Sequence, residues 1–64
     1  MPDVTPGQVK QARHNAGLSR TEAAKLVYAT YRTWQNWETG DRSMHYGLYE
    51  LFLLKTGQKN IEDL

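Results

Sequence analysis

The strongest constraint on this chain is a set of three helix starts crowded into its first half. Thr5 precedes Pro6, with Gln8 three residues on; Ser19 stands three before Glu22; Thr30 opens a third polar-apolar run. A Ser or Thr side chain accepts from the free N–H groups of a first helical turn, and a Glu or Gln three residues later returns the bond to the cap's own N–H. Proline at the first helical position costs nothing, because its missing N–H had no helical partner. Gly17 and Gly40 supply matching stops, since glycine takes the left-handed turn that ends a helix. The spacing predicts helices over about 6–16, 20–27 and 31–39. Helices this short are marginal alone and form only by packing on one another.

The apolar positions say how they pack. Val9, Ala12 and Ala16 fall on one face of the first helix, Ala23, Ala24 and Val27 on one face of the second, and Trp34 and Trp37 on one face of the third. Small residues on the second helix let a neighbour approach closely. A fourth helix is expected over about 45–56, with Leu48, Leu51 and Phe52 as its core stripe, Lys55 at the edge and Gly57 beyond its end. The tail from Gln58 to Leu64 is polar but carries Ile61 and Leu64. There is no strand-like alternation and no repeat. The reading is all-α, four to five short helices in one domain over residues 1–64. At 64 residues the core is thin, for a chain of this size buries only about 60% of the surface it exposes when unfolded.

Several function classes are set aside by what the chain lacks. With no cysteine there is no disulfide and no thiolate metal site, and His14 and His45 fall on different predicted elements. No serine, histidine and acid have triad spacing, and no glycine-rich loop could cradle a phosphate. Neither catalysis, nor a cofactor, nor a small-molecule ligand is expected. The longest apolar run, Leu51-Phe52-Leu53-Leu54, is far short of a membrane span, and the N-terminus lacks the pattern of a signal peptide. A cytoplasmic location is the expectation.

Net charge is only +1, but it is unevenly placed. Lys10, Arg13, Arg20, Lys25, Arg32 and Arg42 face Glu22, Glu38 and Asp41 within residues 10–42, so the surplus lies mid-chain. Between the second and third helices stands only Val27-Tyr28-Ala29. So short a turn forces a large crossing angle and presents the third helix outward with its N-terminus free. A helix so presented fits the major groove of B-DNA, where its first turns reach base edges. Arg32 has the geometry to donate twice to guanine, and Gln35 or Asn36 to pair with adenine.

Leu18-Ser19-Arg20-Thr21-Glu22-Ala23-Ala24-Lys25-Leu26-Val27, continuing through Thr33-Trp34-Gln35-Asn36-Trp37-Glu38-Thr39-Gly40, resembles the helix-turn-helix of the Cro and repressor (lambda-repressor-like, XRE-like) family of phage and bacterial regulators. The likeness runs without a gap over 18–40, and the flanking helices fit it. It implies that Trp34 and Trp37 seat the third helix on the core, and that Ala24 is the small residue where the second helix meets the third. It implies base contacts from Tyr31, Arg32 and Asn36, with Gln35 beside them, and phosphate contacts from Arg20 and Thr33; Thr30 at the start of the third helix and Arg42 in the loop after it are further candidates for phosphate. It also implies a buried salt bridge between Arg13 and Glu38. Asp41 is read as solvated loop charge. One departure stands out: the family has glycine where this chain has Tyr28, at a backbone position that tends to be left-handed. Either the turn differs here or the ring recovers the cost by packing.

The expected partner is a double-stranded DNA operator, read by a Cro-like repressor. The fourth helix is apolar over more than one face, and Tyr49, Leu53 and Ile61 are candidates for a weak homodimer interface. A two-fold pair would call for a near-palindromic site. The rival reading is a protein-interaction module or antitoxin that uses the same scaffold, with the fourth helix as the partner surface.

Overall fold

The computed structural model describes residues 4–60 and Glu62. Four helices follow one another: α1 Pro6–Ala16, α2 Arg20–Leu26, α3 Tyr31–Thr39 and α4 Tyr46–Lys55. The architecture is all-helical, and among the described residues there is no strand, only a single antiparallel bridge that ties Val4 to Met44. Ile61 and Leu64 lie outside the described residues.

The helices start where their caps close. The Thr5 Oγ1 accepts from the Gln8 N–H at 3.1 Å while the Gln8 side chain accepts from the Thr5 N–H at 2.9 Å. Ser19 and Glu22 form the same reciprocal pair at 3.2 and 3.0 Å. Thr30 accepts from the Thr33 N–H at 3.2 Å, and its hydroxyl also donates to the Thr33 hydroxyl at 3.0 Å. His45 caps α4, its Nδ1 accepting from the Gly47 N–H at 3.0 Å. Both ends of α4 therefore lie one residue inside the 45–56 expected from sequence, His45 and Thr56 being its caps. Likewise α2 stops at Leu26, with Val27 as the cap.

The core is built around α3. Trp34 is fully buried; its ring meets Trp37 edge-on at 5.6 Å between centroids and Phe52 of α4 at 5.0 Å. Val9 and Ala12 of α1, Ala23 and Ala24 of α2, and Val4 and Met44 complete it. The alanines bring α2 close against α3, and α1 packs on the far side. Gly40 ends α3 with φ +91°, and a Cβ there would stand 3.3 Å from the Pro6 ring. Both the backbone angle and the close approach of α1 exclude other residues.

At the α2–α3 turn, Tyr28 adopts φ +60°, a left-handed conformation that favours glycine. Its ring is 84% exposed, so packing does not repay the strain. The compensation comes from Lys55 of α4, whose Nζ sits 4.3 Å from the ring centroid, 3.3 Å from the phenol oxygen, and donates to the Leu26 carbonyl at 2.7 Å. A left-handed non-glycine residue costs about 1 kcal/mol; an exposed cation–ring contact returns about 0.5. Tyr28→Gly is therefore expected to stabilise the domain by about 0.5 kcal/mol and raise its melting temperature by roughly 2–4 °C. An unchanged or lower melting temperature in a calorimetric scan would show that the ring contributes more than this.

Candidate nucleic-acid interface

The two faces of α3 have opposite tasks. The inner face is fixed by Trp34, Trp37 and Glu38. Glu38 is the hub, with only 4% of its side chain exposed. Its Oε2 accepts from Arg13 Nε of α1 at 2.6 Å and from Trp34 Nε1 at 2.5 Å. Its Oε1 accepts from Arg13 Nη2 at 3.3 Å and from Arg20 Nε of α2 at 3.2 Å. Arg13 in turn donates from Nη1 to the Leu18 carbonyl in the loop between α1 and α2. Burial pushes the Glu38 carboxyl up, but the hydrogen bonds from Arg13, Trp34 and Arg20 and the charge of Arg13 outweigh it, and the carboxyl settles below its ordinary range. One carboxylate thus joins α1, α2 and α3.

The outer face carries Tyr31, Arg32, Gln35 and Asn36. They line an open concavity of about 420 Å³, together with Thr39 and Asp41. Tyr31, Arg32 and Gln35 are exposed and Asn36 is half-buried. The structure thus brings together all four residues expected to contact bases. The concavity offers one guanidinium, two carboxamides and a phenol, a mixed donor and acceptor set of the kind that reads base edges.

The residues expected at phosphates are distributed differently. Thr30 caps the N-terminus of α3 and Thr33 stands in its first turn, with the Thr30 hydroxyl donating to that of Thr33. Arg42 is exposed in the loop after α3. Arg20, also expected at a phosphate, has a second engagement within the domain. It stands at the first position of α2 with its side chain 40% exposed, but its Nε is committed to Glu38. Its guanidinium is held above its ordinary value by Glu38 first and by Tyr31 second. Sequence spacing could not show this, because the partner lies eighteen residues away and the link exists only once α3 is docked.

Asp41, read as solvated loop charge, is exposed in the loop after α3. After Gly40 the chain turns back along α3, and the N–H groups of Gly40 and Arg42 both donate to the Asn36 carbonyl, at 3.0 and 3.2 Å. The Thr39 hydroxyl bonds the Asp41 carboxylate at 3.2 Å. These bonds set Asp41 beside the outer face of α3.

On α4, Tyr49 and Leu53 are half-buried and lie against the domain's own core; Tyr49 also stacks on Tyr46 with centroids 6.3 Å apart. Ile61, the third candidate for a dimer face, lies outside the described residues. The chain beyond α4 is drawn back by Gln58, whose Nε2 donates to the Ala12 carbonyl at 2.9 Å. Among the described residues no His, Cys, Asp and Glu gather as a metal site, and no helix is long and apolar enough to cross a membrane.

No family model matches the chain. Over 62 residues, 95% of its length, it is 32% identical to the Type II methyltransferase M.MspI of Moraxella sp. It spans 15% of that protein, so the likeness covers nearly all of this chain and a small part of the other.

Proposed function

We propose that this chain is a sequence-specific binder of double-stranded DNA, a Cro-like transcriptional repressor that lays α3 in the major groove. One observation carries the reading. The outer face of α3 gathers Tyr31, Arg32, Gln35 and Asn36 around one open concavity, while the inner face is locked by Trp34, Trp37 and Glu38. A rigidly seated helix that exposes a mixed donor and acceptor surface suits base readout, which needs fixed geometry to discriminate. The likeness to a small part of M.MspI is compatible with a module that also occurs inside a larger protein. The proposal assigns this chain binding without catalysis, in the cytoplasm of a bacterial or phage-infected cell.

A second copy joins at the half-buried surface of α4 around Tyr49 and Leu53. Pairing doubles the phosphate contacts and places two α3 helices about one DNA turn apart.

Selection of bound sites from a random duplex pool tests both statements. The expected result is enrichment of one sequence, repeated in inverted order. Arg32→Ala should lose roughly 1–3 kcal/mol of discrimination at one base position while still binding. Enrichment of no sequence would defeat the proposal, and a single unrepeated half-site would remove the second copy.

A further inference from the structure

Asp41 is the one carboxylate lining the concavity on the outer face of α3, and it is an odd occupant of a surface meant for a polyanion. It is also held in place. The left-handed Gly40 turns the chain back, the Gly40 and Arg42 N–H groups share the Asn36 carbonyl, and the Thr39 hydroxyl shares its one hydrogen between that carbonyl and the Asp41 carboxylate, each 3.2 Å away. The backbone on either side of Asp41 is thus fixed to the helix end, and its exposed carboxylate is aimed by Thr39.

Its chemistry restricts what it can face. An ionised carboxylate only accepts hydrogen bonds. In the major groove guanine presents two acceptors, and thymine an acceptor and a methyl group. Cytosine presents an amino donor; adenine presents one too, but beside the N7 acceptor, which repels a carboxylate. Resting on the DNA-reading proposal above, we propose that Asp41 is a specificity-determining residue that accepts a hydrogen bond from a cytosine amino group at the edge of the site read by α3. The arginine, the carboxamides and the carboxylate then divide the bases by complementary chemistry. Arg32 suits guanine, Gln35 or Asn36 suits adenine, and Asp41 suits cytosine.

The test compares sites selected from a random duplex pool by the wild type, Asp41→Ala and Asp41→Asn. The wild type is expected to show one position with a cytosine preference of about fivefold or more. Asp41→Ala should flatten that position and leave the others unchanged. Asp41→Asn should move it toward adenine, because a carboxamide donates to N7 and accepts from the amino group. The inference is overturned if both variants keep every base preference and only bind all DNA more tightly, which would mean that the carboxylate does no more than repel phosphate. If Asp41→Asn alone leaves the cytosine preference intact while Asp41→Ala removes it, the charge is dispensable and the carboxylate argument fails. Enrichment of no site by the wild type would overturn the DNA-reading proposal itself, and this inference with it.

Discussion

Glu38→Ala is expected to remove about 3–5 kcal/mol, a large share of the stability of so small a domain. The substitution removes the acceptor for four hydrogen bonds from Arg13, Arg20 and Trp34, and so unties three helices at once. Arg13, with only 12% of its side chain exposed, would keep its charge without a counter-charge. Breaking a buried pair in this way costs about 3–5 kcal/mol. A domain of this size has only about 3–10 kcal/mol in total. Glu38→Gln retains an acceptor oxygen and the shape, and should lose less. Denaturant unfolding followed by circular dichroism would check both; an alanine variant with a midpoint near the wild type would contradict the hub role. The acid response follows from the same site. The Glu38 carboxyl titrates below its ordinary value of 4.5 in the folded state, so the unfolded chain takes up its proton first on acidification. Stability from this group is therefore complete above about pH 4.5 and is lost as pH falls through the folded value. That acid-dependent loss should be reduced in Glu38→Gln.

Trp34→Ala should be comparably severe. The residue is fully buried, contacts Trp37 and Phe52, and donates its indole N–H to Glu38. Truncating a core aromatic costs about 3–5 kcal/mol. Trp34→Phe separates the two contributions, because it keeps a ring in the core but removes the indole N–H. It should cost about 1–3 kcal/mol for the Glu38 oxygen it leaves short of a donor and the space it opens. A phenylalanine variant as unstable as the alanine variant would mean that the hydrogen bond, not the packing, dominates. Because Trp34 and Glu38 touch, the losses in a double variant should fall short of the sum.

The local part of this architecture was legible because helix caps are local chemistry. Thr5 with Gln8, Ser19 with Glu22, and Thr30 each act over three residues, and the structure closes all of these bonds. The Arg13–Glu38 pair was legible only through the family likeness, since nothing in a separation of twenty-five residues announces a contact. What escaped reading depends on how helices dock. The bond from Arg20, read as a phosphate contact, to Glu38 forms only where α2 meets α3. Lys55 reaches back to the Leu26 carbonyl across the α2–α4 contact, and α2 ends without glycine or proline because Tyr28 takes the left-handed turn, with the Ala29 N–H donating to the Ala24 carbonyl. The place of Asp41 beside α3 depends on Gly40 and the Asn36 carbonyl folding the loop back, which no local pattern announces. Tyr28 holds a left-handed backbone angle without being glycine, and Lys55 offsets only part of that strain.

The Glu38 hub also changes how the mid-chain charge is to be counted. Glu38 offsets one of the two charges of Arg13 and Arg20, and Asp41 sets a negative charge on the outer face of α3. Of the six cations in residues 10–42, three are offset by Glu22, Glu38 and Asp41, so only a modest surplus remains to displace counterions from a nucleic-acid backbone. Non-specific affinity arises almost wholly from that displacement, so little of it is available here. A regulator built this way would dwell briefly on random DNA, lose comparatively little grip as salt rises, and owe its occupancy of a chosen site chiefly to the bases it reads.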